Sequence, residues 1–477
     1  MIVKLPKMLM ISIFSLFAAC QCLAAERILY EENFDKCADG ADLSSLGWRV
    51  VSSDKQSNYT VKGGRLYIQC QQNPYLGGFA EIPVPLCRRG VLEFDANIAI
   101  ENAGNADGIG LTLDLYNIST FWHDSCHDWR QYFPEPVAKR MPWFNVEPVG
   151  HQSIGKLEKN QWIHYKIYFD TDKDRVEFYI DNMLDPCYIN GEAPVLGRAE
   201  YQGRYLRIGN FGLMKGPVTY AIDNLSLREL DKDERSDAGQ RNLVLLFQGI
   251  SFPEYNIKPA LIAAGVKEAD IRTYTLDFWR SAETPENMFK LSQLPGSTTM
   301  AQAKAIVLVD LPRGPKQVLP DFLLREFGEQ INGGAHLIVF GGLFTLDKGE
   351  FQNSVMAKIL PVEFENQWQV KVQQEPLTIA PTSPGVMEGI DWSAKPALYG
   401  FHQLKLKPQA ETLLKAGEHP LLVRQKMGRG QVTVFLGTTC GKPVPQPPAF
   451  WQWKEWPKLA SELVLSGLET KSPQKDR

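Results

Sequence analysis

The side chains of this chain best suited to holding a ligand cluster in one stretch. Between Asn117 and Asn160 stand Phe121, Trp122, Trp129, Tyr132, Phe133, Trp143 and Phe144, interleaved with Asp124, Asp128, Arg130 and Glu135. A flat ring covers the C–H face of a sugar, while carboxylates and guanidinium groups hold its hydroxyls, so this mixture suits a polyhydroxylated ligand. Trp122, Trp129, Trp143, Asp124, Asp128 and Arg130 are the candidate ligand contacts. The competing reading is a satellite core beneath a long loop, in which the rings meet only one another. Within the same stretch, His123-Asp124-Ser125-Cys126-His127-Asp128 carries metal-capable side chains, and His123 and His127 would share a face if the segment were helical. Their spacing fits no zinc pattern, so polar loop residues are the default reading and no metal is assigned.

Two further places could carry chemistry. Glu93-Phe94-Asp95 sets two carboxylates on one face of a strand, as in laminarinase-like hydrolases with the spacing Glu-x-Asp-x-x-Glu. The third position here is Ile98, so the acid is missing, and the simpler reading is a polar, solvent-facing strand edge. Near the C-terminus, Trp453, Trp456, Ala460 and Leu463 follow helical spacing and are expected to pack on a sheet, the alternative being an exposed aromatic platform.

The elements that would position these residues change character along the chain. Up to about Leu230 the pattern is short strands and turns. Leu92, Phe94, Ala96, Ile98 and Ile100 alternate with polar or small residues, and Ile163, Tyr165, Ile167 and Phe169 repeat the period of a half-buried strand. The stretch from Asn117 to Asn160 is then a connection of about 45 residues, well beyond ordinary loop length. Lys159-Asn160-Gln161-Trp162-Ile163-His164-Tyr165, a turn, and Phe178-Tyr179-Ile180-Asp181-Asn182 resemble the paired strands of laminin-G-like and concanavalin A-like jelly rolls. Glu32-Asn33-Phe34-Asp35 and Ile222-Asp223-Asn224-Leu225-Ser226-Leu227 match how such domains open and close. The resemblance implies an antiparallel β-sandwich over residues 26–230. It leaves the ligand open, because the family includes glycan binders, glycan hydrolases and structural modules.

Residues 231–240 are charged and small and read as a linker. Beyond them, Leu243–Phe247, Ile271–Thr275, Ala305–Val309 and Leu337–Phe340 are continuous apolar runs. They alternate with helical segments at Lys258–Ala264 and Phe322–Ile331, and Leu421–Val423 and Val432–Leu436 form a late hairpin. Apolar strands alternating with helices imply a mostly parallel sheet buried on both faces, a flavodoxin-like α/β domain over residues 241–470 with a polar tail at 471–477. Ala305-Ile306-Val307-Leu308-Val309-Asp310, Gly333 to Gly342, and Gly428-Arg429-Gly430-Gln431-Val432-Thr433-Val434-Phe435 resemble the class I glutamine amidotransferase-like superfamily. That resemblance implies a cysteine at the sharp turn after the fourth strand, activated by a histidine. Here the turn reads Gly341-Gly342-Leu343-Phe344-Thr345. Leu343 and Phe344 cannot act as nucleophiles, and Cys440 follows a different strand. Glutamine hydrolysis is not expected, and the glycines are expected to serve close backbone approach.

Export frames both domains. Lys4 and Lys7 precede an apolar run from Met8 to Ala19, with small residues at Ala24 and Ala25, so residues 1–25 read as a signal peptide. Phe17-Ala18-Ala19-Cys20 loosely resembles a bacterial lipobox and offers lipid anchoring at Cys20 as a second route. A retained membrane helix is a third, although the run is short for one. The expected location is extracytoplasmic: periplasmic, secreted or anchored at the envelope. The net charge of −4 argues against a nucleic-acid surface. Cys37, Cys70, Cys87, Cys126, Cys187 and Cys440 allow one or two disulfides of undetermined connectivity. No organic cofactor is implied; a structural calcium ion, common in this sandwich fold, would draw on backbone carbonyls and scattered Asp or Asn. Three functions stay open: a non-catalytic carbohydrate binder or surface scaffold, a glycoside hydrolase-like enzyme with its site in the sandwich, and a module that holds other exported proteins.

Overall fold

The computed structural model describes residues 27–466, apart from 52–56, 71–78, 86, 101–108, 116–117, 120–160, 171, 174, 182, 187, 191–204, 213–217, 231–240, 279–288, 292, 314–317, 366–367, 384, 442 and 444–446. The chain divides into two compact units, Met1–Asp237 and Ala238–Arg477. No helix among the described residues is long and apolar enough to cross a membrane.

The first unit is an antiparallel β-sandwich. One sheet runs in the spatial order Tyr188–Asn190, Arg175–Ile180, Trp162–Asp170, Arg89–Ile100, Val218–Glu229, Leu66–Cys70, Ser57–Val61, with Arg27–Glu32 also pairing Val218–Glu229. The other runs Arg49–Val51, Phe79–Pro83, Tyr205–Gly212, Ile109–Leu115, Ile118–Ser119. Strand alternation decides the layers. Leu92, Phe94, Ala96, Ile163, Tyr165, Ile167 and Phe169 point inward from the first sheet and meet Ala80, Ile82, Leu206 and Ile208 of the second in one buried core. Phe94 and Tyr165 stack across the strand pair at 5.1 Å. The alternate residues of the same strands line the outer face of the first sheet. The expected strand at Leu92–Ile100 is longer than its apolar pattern, beginning at Arg89.

The second unit is an α/β domain around one mixed sheet. In chain order its parallel strands are Leu243–Gln248, Ile271–Phe278, Ala303–Val309, His336–Phe340 and Gly430–Phe435. In space the short antiparallel Phe289–Leu291 lies at the edge, then come the second, first, third, fourth and fifth. This is the flavodoxin-like order. Leu243–Gln248 and His336–Phe340 are buried at every residue, as expected of strands covered by helices on both faces. The helix Asp321–Asn332 turns Phe322, Leu323, Leu324, Phe327 and Ile331 inward and stops before Gly333-Gly334. Trp453, Trp456, Leu459, Ala460 and Leu463 pack on the core from the C-terminal segment, in agreement with their spacing.

An antiparallel extension follows the parallel strands; its first step is the expected hairpin, His419–Met427 against Gly430–Phe435, and the strands beyond that were not evident in the sequence. From Gly430–Phe435 it passes through His419–Met427, Glu411–Ala416, Val370–Pro381 and Ala397–His402 to Gly437–Thr438. That last strand directly continues Gly430–Phe435, so the extension curls back onto the carboxyl end of the parallel sheet. The curl is what brings His402 to the turn after His336–Phe340.

Candidate functional site

On the outer face of the sandwich, cross-strand register sets polar side chains in rows. Glu93 lies opposite Lys166, Asp95 opposite His164 and Asn97 opposite Trp162. In the neighbouring strand a register shift between Asp223 and Ser226, with Asn224 in the left-handed region at φ 52°, turns the Asn224 amide toward the face. Asn224 Nδ2 donates to Asp95 Oδ2 at 2.6 Å. His164 Nδ1 lies 2.7 Å from Asp95 Oδ1, and its Nε2 lies 4.0 Å from Glu93 Oε1. Glu93 also pairs with Arg228. Trp162 is 37% exposed, with the Arg65 guanidinium over its ring at 4.7 Å. Arg65 Nε reaches Asp223 Oδ2 at 3.6 Å.

The two ends of this face differ. Toward Lys166 the charges are packed: its Nζ sits 3.9 Å over the Tyr179 ring, and the Tyr179 hydroxyl donates to Glu177, which also pairs with Arg175. Burial lowers the Lys166 pKa despite the opposing charges of Glu93 and Glu177. Toward Trp162 the groups are half open. Burial is the main cause that raises the Asp223 carboxyl, and the Asp35 and Asp95 charges add to it against the Asn224 N–H and Arg65. A flat ring, carboxylate acceptors, an amide and an imidazole on one partly exposed surface have the chemistry to bind a polyol.

The second candidate place is the carboxyl edge of the α/β sheet. Open α/β sheets bind ligands where the strand order reverses, here between Leu243–Gln248 and Ala303–Val309. Asp310, at φ 42°, occupies that point. Its Oδ2 accepts from the Ser251 hydroxyl at 2.6 Å, and its Oδ1 accepts from Phe344 N–H at 2.9 Å and the Thr345 hydroxyl at 3.3 Å. Gly249 N–H donates to Val309 O at 2.8 Å, and Ile250 N–H to Asp310 O at 3.2 Å. A Cβ on Gly249 would overlap the Asp310 carbonyl, and one on Gly342 would overlap the Asp310 carboxyl, so both glycines serve close approach.

The next layer of this edge is equally committed. His402 Nδ1 lies 2.8 Å from Asp347 Oδ1, and Nε2 donates to the Gly342 carbonyl at 2.9 Å. That carbonyl can only accept, so Nε2 carries a proton. Burial works to raise the Asp347 carboxyl, but the hydrogen bonds from His402 and the Gln369 and Lys348 backbone outweigh it and hold the group below the usual carboxylate range. Tyr255 OH bridges the Gly341 and Gly437 carbonyls, the latter at 2.9 Å. Asp310, Thr345, Asp347 and His402 are all buried. Beside them, Lys348 Nζ lies 4.6 Å over the Phe344 ring and 4.3 Å over that of Trp368. Cys440 follows Gly437–Thr438, and its N–H donates to Thr438 Oγ1 at 3.4 Å.

Trp122, Trp129, Trp143, Asp124, Asp128 and Arg130 lie outside the described residues, as do His123 to Asp128 and the leader with Cys20. Glu93 and Asp95 do share one face, and His164 joins them from the neighbouring strand. Sequence reasoning noted the run containing Trp162 and His164 for its fold and not for its surface. The available signal was that Trp162-x-His164 and Glu93-x-Asp95-x-Asn97 each alternate with core residues. Ser251, Asp310 and Asp347 were missed as partners because each meets its hydrogen-bonding residues through tertiary contact. Cys37 and Cys440 form no disulfide. Among the described residues no group of three or more His, Cys, Asp or Glu is placed to hold a metal ion.

A family model described as "Putative glutamine amidotransferase" matches residues 303–468, within the α/β domain. No curated protein matches the chain. Among solved structures, a cytoplasmic protein from Salmonella typhimurium is 18% identical, with a TM-score of 0.35 over 46% of this chain and 97% of that one. A protein of unknown function with a galectin-like fold from Bacillus subtilis is 9% identical, with a TM-score of 0.27 over 43% of this chain and 96% of that one. Lectin II from Ulex europaeus is 12% identical, with a TM-score of 0.24 over 42% of this chain and 99% of that one.

Proposed function

We propose that this protein is an exported carbohydrate-binding protein whose recognition module is the sandwich and whose α/β domain does not hydrolyse glutamine. The observation that carries the first half is the outer sandwich face. An exposed Trp162 stands beside Asp95, His164 and Asn224, which together offer a ring surface, acceptors and donors to a sugar. In this reading Trp122, Trp129, Trp143, Asp124, Asp128 and Arg130 of the long connection supply further contacts. The second half is supported by the turn Gly341-Gly342-Leu343-Phe344-Thr345, which presents no thiol. The Thr345 hydroxyl is bound to Asp310, and the His402 ring is engaged by Asp347 and Gly342. A nucleophile needs a base free to take its proton. The amino-terminal residues 1–25 direct export, with Cys20 the point of anchoring if the protein is retained on a membrane.

Binding of the mature protein to a broad glycan panel tests the first half. Binding that drops about tenfold in Trp162→Ala and again in a Trp122→Ala, Trp143→Ala pair supports it. Failure of the folded protein on the whole panel sinks it. Release of ammonia from glutamine, abolished by Cys440→Ala, would sink the second half. Fractionation of cells making the wild type and Cys20→Ala checks export: retention of the full-length chain in the cytoplasm contradicts it.

A further inference from the structure

Reading the sandwich as a carbohydrate module leaves the charge of its ligand open, and the way Arg65 is held narrows it. Arg65 closes a two-residue turn between Ser57–Val61 and Leu66–Cys70: Val61 lies opposite Leu66, and Lys62 N–H donates to Arg65 O at 2.9 Å. Gly63 and Gly64, at φ 56° and 69°, both take the left-handed conformation of a tight hairpin turn. Asp39 Oδ1 accepts from Gly63 N–H at 2.7 Å, and a Cβ on Gly64 would press on the Asp35 carboxyl. The root of the side chain is therefore fixed. Its guanidinium is placed too, 4.7 Å over the Trp162 ring, yet its Nε is 3.6 Å from Asp223 Oδ2, beyond hydrogen-bond length. Among the described residues none accepts from its two terminal nitrogens. The nearby carboxylates lie deeper: the Arg65 side chain is 45% exposed, against 19% for Asp223 and 27% for Asp95. They are also engaged, Asp223 Oδ1 by the Asn224 N–H at 2.8 Å and Asp95 by Asn224 Nδ2 and His164.

We propose that the Trp162 end of this face binds acidic sugars, with the Arg65 guanidinium receiving their carboxylate or sulfate. The planar fork matches two oxygens of such a group at once, and stacking on Trp162 orients it before the ligand arrives, so little freedom is lost on binding. The sugar body lies against the exposed part of the Trp162 ring. Repulsion from the recessed carboxylates works against this contact, but it acts across a partly exposed surface where salt screens it, whereas the fork meets the oxyanion directly. The inference rests on the carbohydrate-binding reading and adds the class of sugar to it.

The test uses the full mature chain with three oligosaccharides of one length: oligogalacturonate, its methyl ester, which keeps the rings and removes the charge, and a sulfated galactan. Each is titrated at low salt and at about 0.15 M, where surface charges are screened beyond roughly 8 Å. The expected result is at least about tenfold tighter binding of an acidic series than of the methyl ester at low salt, with the gap narrowing as salt rises. Which acidic series leads distinguishes carboxylate from sulfate. Arg65→Ala should close the gap while leaving the methyl ester within about twofold of wild type, and Arg65→Lys, which keeps the charge and loses the fork, should restore only part of it. Thermal melting verifies that each variant folds. A methyl ester bound as tightly as both acidic series overturns the inference while leaving the carbohydrate reading intact. So does a gap that survives Arg65→Ala, or an Arg65→Ala loss that is equal for charged and neutral sugars, the mark of a merely structural arginine. If the folded protein binds no oligosaccharide of any charge, the carbohydrate reading fails and the inference falls with it.

Discussion

The two polar clusters of this protein contrast in what their side chains are left to do. At the carboxyl edge of the α/β sheet, Asp310, Thr345, Asp347 and His402 are buried and bound to one another or to backbone. On the sandwich, Asp95, His164 and Trp162 keep part of their surface in water. The first cluster sits where an open α/β sheet normally receives a ligand, and there the protein's own carboxylate joins the loops after three strands. The second sits on a sheet face with no such topological reason to bind. If the sandwich face binds as proposed, position in a fold is a poorer guide to the site than side chains left open to solvent. The same contrast separates what mutations should cost. Changes at the closed edge should act on stability, and changes on the open face should act on binding.

The largest stability loss is expected at Asp310. Asp310→Ala leaves the Ser251 hydroxyl, the Phe344 N–H and the Thr345 hydroxyl without their acceptor, two of these donors belonging to the turn after His336–Phe340. Stranding such groups should destabilise the α/β domain by about 3 kcal/mol, read from denaturant unfolding. Gly342→Ala should do comparable damage, because its Cβ would overlap the Asp310 carboxyl. If either variant melts like the wild type, the edge is not the closed network described above, and the contrast with the sandwich dissolves.

Next in size is an acid response of the same domain. His336 is buried with Nε2 2.8 Å from Thr433 Oγ1, and burial pushes its pKa down to about 4. The unfolded imidazole takes its proton near 6.5, so between there and about 4 the unfolded chain binds more protons than the folded one. Stability from this group is complete above about 6.5 and is lost as pH falls toward 4, by up to about 3 kcal/mol. Hydrogen exchange of the His336–Phe340 strand, followed across that range, should show the slope, and His336→Gln should flatten it. A slope unchanged in the variant would mean that other groups carry the acid response. Ser251→Ala is milder, at about 1 kcal/mol, since it removes one donor and leaves Asp310 its other two partners.

What the sequence made legible follows from the range of the interactions involved. Strand alternation placed Leu92, Phe94 and Ala96 in the core with Ile163, Tyr165 and Ile167, and helical spacing placed Trp456, Ala460 and Leu463 on the sheet, while Trp453 reaches the same core from extended backbone just before the helix. These are local periodicities, imposed by one buried face. The antiparallel extension beyond its first hairpin left no such mark. Val370–Pro381 has only one buried residue, Ile379, so its sequence carries no face to read. The polar clusters are harder still, because hydrogen-bond partners need no sequence period. Asp347 and His402 are 55 residues apart, Ser251 and Asp310 59, and Asp95 and His164 69. Each strand announced which face was polar, but only the register between strands decided which polar residues would meet.

The smallest stability effect, and the one that tests the open face most directly, belongs to Trp162. Its ring is partly exposed and rests against Arg65, which itself is nearly half exposed. Removing a surface cation–π contact costs about 0.5–1 kcal/mol at most, and the core behind the strand is formed by Ile163 and Tyr165, which point the other way. Trp162→Ala should thus leave the melting temperature of the sandwich within a few degrees of wild type while weakening sugar binding by about tenfold, the worth of one well-placed ring contact. Opposite behaviour, a destabilised sandwich with unchanged affinity, would make Trp162 a structural residue. The outer face would then be as spent as the carboxyl edge, and the search for a ligand would move to the ring-rich connection between Asn117 and Asn160.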